Sequence, residues 1–205
     1  MKRNSLIARF MLLGALLMPL SSGAHDEKGR FALKGAGMIG CKHFVQQLQD
    51  RTKEFYAYAG WIEGYLTGVN AYQKDTFDIA PWQNTKVLAL MVANYCKQHP
   101  DEAFGLAVRK LAQVLLSYRL EERSTLVVAR NGDKAMRLYG AVVRQVQEAL
   151  RKERLYKGSV TGDYDEATRN AVLAYQKKMG LQQTGLPDAP TLMRLFGLMK
   201  KDNKS

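Results

Sequence analysis

Acid–base or nucleophilic chemistry needs reactive side chains that converge, and this sequence offers few candidates. Its histidines, His25, His43 and His99, fall in no H-E-x-x-H or paired-cysteine zinc spacing. There is no G-x-S-x-G elbow and no phosphate-cradling glycine loop, so neither a nucleophile nor a cofactor is expected. Cys41 and Cys96, the only cysteines, lie far from a Cys-x-x-Cys redox arrangement. Carboxylates are the remaining route. Glu63 lies beside Trp61 and Gly64, and Asp163, Asp165 and Glu166 cluster late in the chain. Paired carboxylates hydrolyse glycosides. Asp163 and Asp165 are better read as helix caps, and Glu166 as first-turn charge favoured by the helix dipole. Trp61 and Tyr65 suit either a sugar-stacking platform or a packed core. The expectation is a protein that is not an enzyme.

The elements that would position these residues are helical. Val45, Leu48, Thr52, Phe55, Ala59, Ile62, Leu66 and Val69 step alternately by three and four, one continuous buried stripe. Gly60, Gly64 and Gly68 recur every fourth residue of the same stretch, which predicts either a close backbone neighbour or a break in the helix. Residues 83–97 read as a second helix with Val87, Leu90, Met91 and Tyr95 inward. A third, capped by Asp101, buries Phe104, Val108, Leu111 and Leu115. Residues 117–138 are charged and read as a linker. Within them the β-leaning residues 125–129 before Asn131-Gly132 allow either a hairpin strand or a partly helical connection. A further helix is expected over residues 136–154.

Two cysteines in an exported chain most simply form one disulfide, two buried free thiols being the alternative. Export is expected from residues 1–24. Lys2, Arg3 and Arg9 precede an apolar run at residues 10–20, and Ser22-Gly23-Ala24 supplies the small residues a signal peptidase needs. That run is too short for a transmembrane anchor. Residues 25–37 then read as a flexible mature start and residues 198–205 as a frayed tail. Losing the three basic residues of the signal lowers the formal charge from +12 to +9. For an exported protein, wall polymer or a membrane surface is then a more accessible partner than nucleic acid, which is not expected; solubility is the plainer reading of the charge.

The last quarter carries the clearest organisation. Thr168, Ala171, Val172, Tyr175 and Met179 form one buried helical face, with Gly180 as a stop. A final helix opens at Asp188, tolerates Pro190 in its first turn, and buries Leu192, Leu195 and Phe196. With Leu150, Val160, Gly162, Tyr164, Gln176, Leu181, Thr184, Gly185 and Thr191 in register, residues 139–197 resemble the three-helix peptidoglycan-binding domain of bacterial wall proteins. The family usually shows Asp-Gly where this chain has Thr161-Gly162, and glycine where it has Asp165. The resemblance implies a site at the turn residues Thr161, Gly162, Asp163 and Tyr164, with Arg169 and Gln176, although Gln176 reads equally as a polar residue that satisfies the neighbouring turn. Their hydroxyl, amide and guanidinium groups can answer the sugars, peptides and carboxylates of the polymer. Tyr175 belongs to the core by its periodicity.

Residues 38–116 also resemble small helical periplasmic proteins of the acid-stress chaperone type (HdeA-like), through Cys41, Trp61, Gly64, Tyr65, Gly68, Asn70, Tyr95, Cys96 and Pro100. The expected fold class is all-α, with a disulfide-stapled N-terminal unit and a three-helix C-terminal one. The expected protein is periplasmic and binds peptidoglycan through residues 139–197, leaving residues 38–116 to engage another periplasmic protein. A chaperone acting in acid or general stress is one alternative, and a small cell-wall hydrolase or an accessory to one is another.

Overall fold

A computed structural model describes Asp26, Lys28 and residues 30–198. Residues 1–24, expected as an export signal, His25 and the tail beyond Leu198 lie outside the described residues. The chain divides into residues 1–32 and 33–205. In the first unit the Arg30 guanidinium pairs with the Asp26 carboxylate at 2.9 Å.

Residues 33–205 carry, among the described residues, seven α-helices and one two-stranded hairpin, so the fold is mostly helical as its periodicity predicts. The first group is α1 (Cys41–Asp50), α2 (Phe55–Tyr72), α3 (Thr85–Cys96) and α4 (Phe104–Leu115). The stripe over residues 45–69 is one hydrophobic pattern on two helices. Arg51 turns left-handed (φ 53°), and the Thr52 hydroxyl donates to Gln47 Oε1 at 2.5 Å, closing α1. The break lets Phe44 of α1 meet Tyr58 of α2 and Phe104 of α4, with ring centroids 4.6–5.2 Å apart. His43 Nδ1 and the Tyr58 hydroxyl share a 2.7 Å hydrogen bond across the same corner.

A Cys41–Cys96 disulfide ties the start of α1 to the end of α3, with both residues wholly buried. Backbone bonds reinforce it: Cys41 N–H donates to Glu102 O (2.8 Å), and Phe104 N–H to Ile39 O (2.8 Å). On α3 the inward residues are Val87, Leu88, Ala89, Val92, Ala93 and Cys96, whereas Leu90, expected inside, is 48% exposed. The helix is rotated about its axis so that Cys96 faces Cys41. Asn84 caps it by accepting from Val87 N–H at 3.0 Å. Asp101 does not cap α4, whose N-cap is Ala103 with no side-chain bond; the α4 residues expected inside are all buried.

The close approaches fall on glycines other than the expected ones. A Cβ at Gly60, Gly64 or Gly68 would meet nothing within 4 Å, and α2 runs unbroken through all three. At Gly37 it would lie 2.4 Å from the Trp61 ring, and at Gly105 2.6 Å from Leu33. Residues 33–37, expected as part of a loose N-terminus, instead lie against α2 and α4. The Trp61 indole donates to Lys34 O at 2.8 Å and its ring stacks on Tyr65, which accounts for both aromatics as packing.

Of the two conformations open to residues 125–129, the hairpin strand forms. Strands β1 (Leu126–Asn131) and β2 (Lys134–Tyr139) pair antiparallel around Gly132 (φ +55°), the left-handed geometry that Asn-Gly favours. The helix expected from residue 136 therefore begins later, as α5 (Gly140–Lys152), followed by α6 (Glu166–Lys178) and α7 (Ala189–Leu195). Val146, Leu150, Tyr156, Ala171, Val172, Tyr175 and Leu192 fill the space between them. A smaller cluster of Leu120, Leu138, Val142 and Val143 seats the hairpin on α5. Trp82, from the loop before α3, packs against both of these clusters, and its ring lies 6.1 Å from Phe196.

Candidate functional site

Two buried glutamines build the C-terminal turns. Gln147 on α5 has no exposed surface. Its Nε2 donates to Asp163 O (3.0 Å) and Thr168 Oγ1 (2.9 Å), and its Oε1 accepts from Gly162 N–H (3.0 Å). Gln176 on α6 is equally buried. Its Nε2 faces Thr184 Oγ1, Leu186 O and Thr191 Oγ1, each at 2.9 Å, and its Oε1 accepts from Gly185 N–H at 2.9 Å. In each turn an aspartate caps the following helix. Asp165 Oδ1 accepts from Thr168 N–H (2.8 Å) and hydroxyl (2.6 Å), and Asp188 Oδ1 from Thr191 N–H (3.1 Å) and hydroxyl (2.5 Å).

The pattern T-G-x-x-D-x-x-T thus occurs twice, at residues 161–168 and 184–191, each copy threaded onto a glutamine of the preceding helix. A buried amide satisfied on both ends fixes its loop, because an unpaired donor there would cost about 1–3 kcal/mol. Glycine is required in both turns. Gly162 is left-handed (φ +86°), and a Cβ there would lie 2.7 Å from Gly140 O; at Gly185 it would lie 2.5 Å from the Asn131 amide. Asn131, at the hairpin tip, donates to Thr184 O at 2.9 Å and so closes the second turn.

The six residues expected at the site are placed unequally. Thr161, Gly162, Asp163 and Tyr164 come together in the first turn, with the Thr161 and Asp163 side chains exposed and Gly162 buried beneath them. Thr161 Oγ1 accepts from Asp163 N–H at 3.1 Å, the local bond an aspartate makes in an Asx turn. Threonine therefore does the turn-forming work of the family's usual residue, and Asp165 is the N-cap of α6. Asp163, read as a second cap, caps nothing. The Tyr164 phenol leaves the first turn and donates to Gly185 O in the second (2.7 Å); burial pushes its pKa well above the usual tyrosine value. Arg169 sits one helical turn along and pairs with Glu166 at 3.4 Å. Gln176 is within the second turn, its polar atoms taken by the fold. Gln147 and Arg144 escaped the sequence reading, although the repeated octet was a signal for the first. Arg144 Nη1 reaches Thr161 O at 3.4 Å.

Away from these turns, Glu63 accepts a hydrogen bond from the Thr85 hydroxyl. Glu102 joins the Tyr95 hydroxyl (2.6 Å) and Lys110 (3.0 Å), and the tyrosine's bond holds the carboxyl below its usual pKa. No group of three or more His, Cys, Asp or Glu able to hold a metal ion occurs among the described residues, and no described helix is long and apolar enough to cross a membrane. No curated protein and no solved structure matches the chain. Nothing found supports the likeness of residues 38–116 to acid-stress chaperones. Residues 139–195, which hold both turns and the three helices that carry them, match the family described as "Putative peptidoglycan binding domain".

Proposed function

We propose that the protein is exported to the periplasm, is not an enzyme, and associates with peptidoglycan through residues 139–197 while presenting the disulfide-stapled residues 38–116. The observation that carries this reading is the intact double-turn framework within the matched segment, with the first turn presenting Thr161, Asp163 and the neighbouring Arg144 to solvent. The two departures from the family pattern leave that framework standing, since Thr161 makes the turn and Asp165 the cap. Of the three carboxylates at the turn, Asp165 is engaged by Thr168 and Glu166 by Arg169, which leaves Asp163 without a second free carboxylate to pair with for glycoside hydrolysis and favours recognition. A disulfide fits an oxidising compartment, in keeping with the basic–apolar–small succession of residues 1–24. The positive charge adds a long-range attraction to an anionic wall, screened over about 10 Å at 0.1 M salt.

Cosedimentation with washed sacculi at low and high salt, against an unrelated polyanion, is the test. Binding that weakens but persists in salt is expected. Protein that stays in the supernatant at both salts, or is displaced fully by the polyanion, sinks the reading.

A further inference from the structure

We infer that the groove between residues 119–124 and the start of α5 is a carboxylate subsite that takes the free C-terminal end of a wall peptide. The inference rests on the peptidoglycan reading and extends the surface beyond the matched segment, because residues 119–124 lie ahead of it. The groove encloses about 380 Å³ and adjoins the first turn through Arg144.

Three arginines line it, in different circumstances. Arg119 is engaged, donating to Glu121 (2.9 Å), Leu116 O (2.8 Å) and Asp75 O (2.8 Å). Arg123 is exposed and meets no acceptor among the described residues, and the Arg144 guanidinium has only the long bond to Thr161 O. A guanidinium carries five N–H donors in a planar fork that fits a carboxylate's two oxygens. Gln145 lines the same groove, and its Oε1 is buried without a donor. A peptide's last residue supplies both complements one carbon apart, a carboxylate for the arginines and an amide N–H for Gln145. Sugar hydroxyls supply no anion and a phosphate no N–H donor. Glu122 on the rim opposes extended polyanions and leaves room for a single negative charge.

The probe is D-alanyl-D-alanine, compared with its C-terminal amide, titrated by NMR into the protein purified from the envelope fraction. The free acid is expected to bind about tenfold or more tightly than the amide, since one charge-assisted bond is worth that much. Arg144→Gln and Arg123→Gln should each weaken the acid by a similar factor, and Glu122→Gln should strengthen it about twofold. Arg123 makes no hydrogen bond or ion pair among the described residues, so its variant keeps the test sound if Arg144→Gln loosens the turn. Equal binding of acid and amide, or arginine variants that bind like wild type, overturns the subsite, and sacculus sedimentation by the wild type then leaves the wall-binding reading intact. A wild type that fails to sediment removes both.

Discussion

Replacing Gln176 with leucine separates a ligand-contacting residue from a structural one. The side chains are close in volume, so cavity and crowding effects stay small. Leucine strips the Gly185 N–H of its acceptor, whereas Leu186 O loses one donor and keeps the 2.8 Å bond from Asp188 N–H. The Thr184 and Thr191 hydroxyls keep Asp188 as a partner, so their loss is smaller. One buried backbone donor left unpaired gives an expected loss of about 1–3 kcal/mol. The readout is the urea midpoint by far-UV circular dichroism, with the slope unchanged. Binding to sacculi, measured far below that midpoint, should be nearly unaffected. A Gln176→Leu protein as stable as wild type but deficient in binding would refute the reasoning and return Gln176 to the ligand.

Reducing the Cys41–Cys96 bridge, or replacing both residues with alanine, should cost about 4 kcal/mol in stability for a loop of 55 residues; thermal melts with and without reductant measure it, and an unchanged melt would refute it. Gly37→Ala should destabilise by about 1–3 kcal/mol, because its methyl enters the Trp61 ring. Gly64→Ala, in open space on a helix, should stabilise by about 0.5–1 kcal/mol, and a stability gain at Gly37 would contradict the packing described. Burial raises the Tyr164 pKa, so its contribution is complete below the unfolded value near pH 10 and is lost as pH climbs above it. Tyr164→Phe should flatten the alkaline fall in stability seen in pH-dependent melts; an equally steep fall would show that other groups dominate.

The three C-terminal helices and their inward faces were legible because an apolar residue every three or four positions leaves a helix one way to bury itself. The disulfide was legible for want of any other partner for either cysteine. The break after Asp50 was not, since the stripe passes through it without a phase change and Arg-Thr-Lys holds no strong breaker. The glycines of α2 misled because spacing reports a face, while what faces it depends on the neighbours. At the candidate site the turn residues could be named from their types, but the same reasoning left Gln176 open between a ligand contact and a fastening of the neighbouring turn. A polar residue reads alike in a sequence whether it greets a ligand or fastens a loop; the repeated octet distinguishes the two only once both glutamines are seen to serve it.

Trp82 belongs by sequence to the stapled half and by packing to the half that holds the matched segment. Nearby, Leu120 pairs with Asp78 across a short backbone bridge, and the Tyr118 hydroxyl donates to Phe196 O at 2.7 Å. The connection between the halves is therefore a bracket and not a leash. A leash would let whatever the first half carries sweep a volume around its anchor. If the second half binds the wall as proposed, a bracket would hold the first at one height and one angle to the polymer, so that every anchored copy would offer the same face outward.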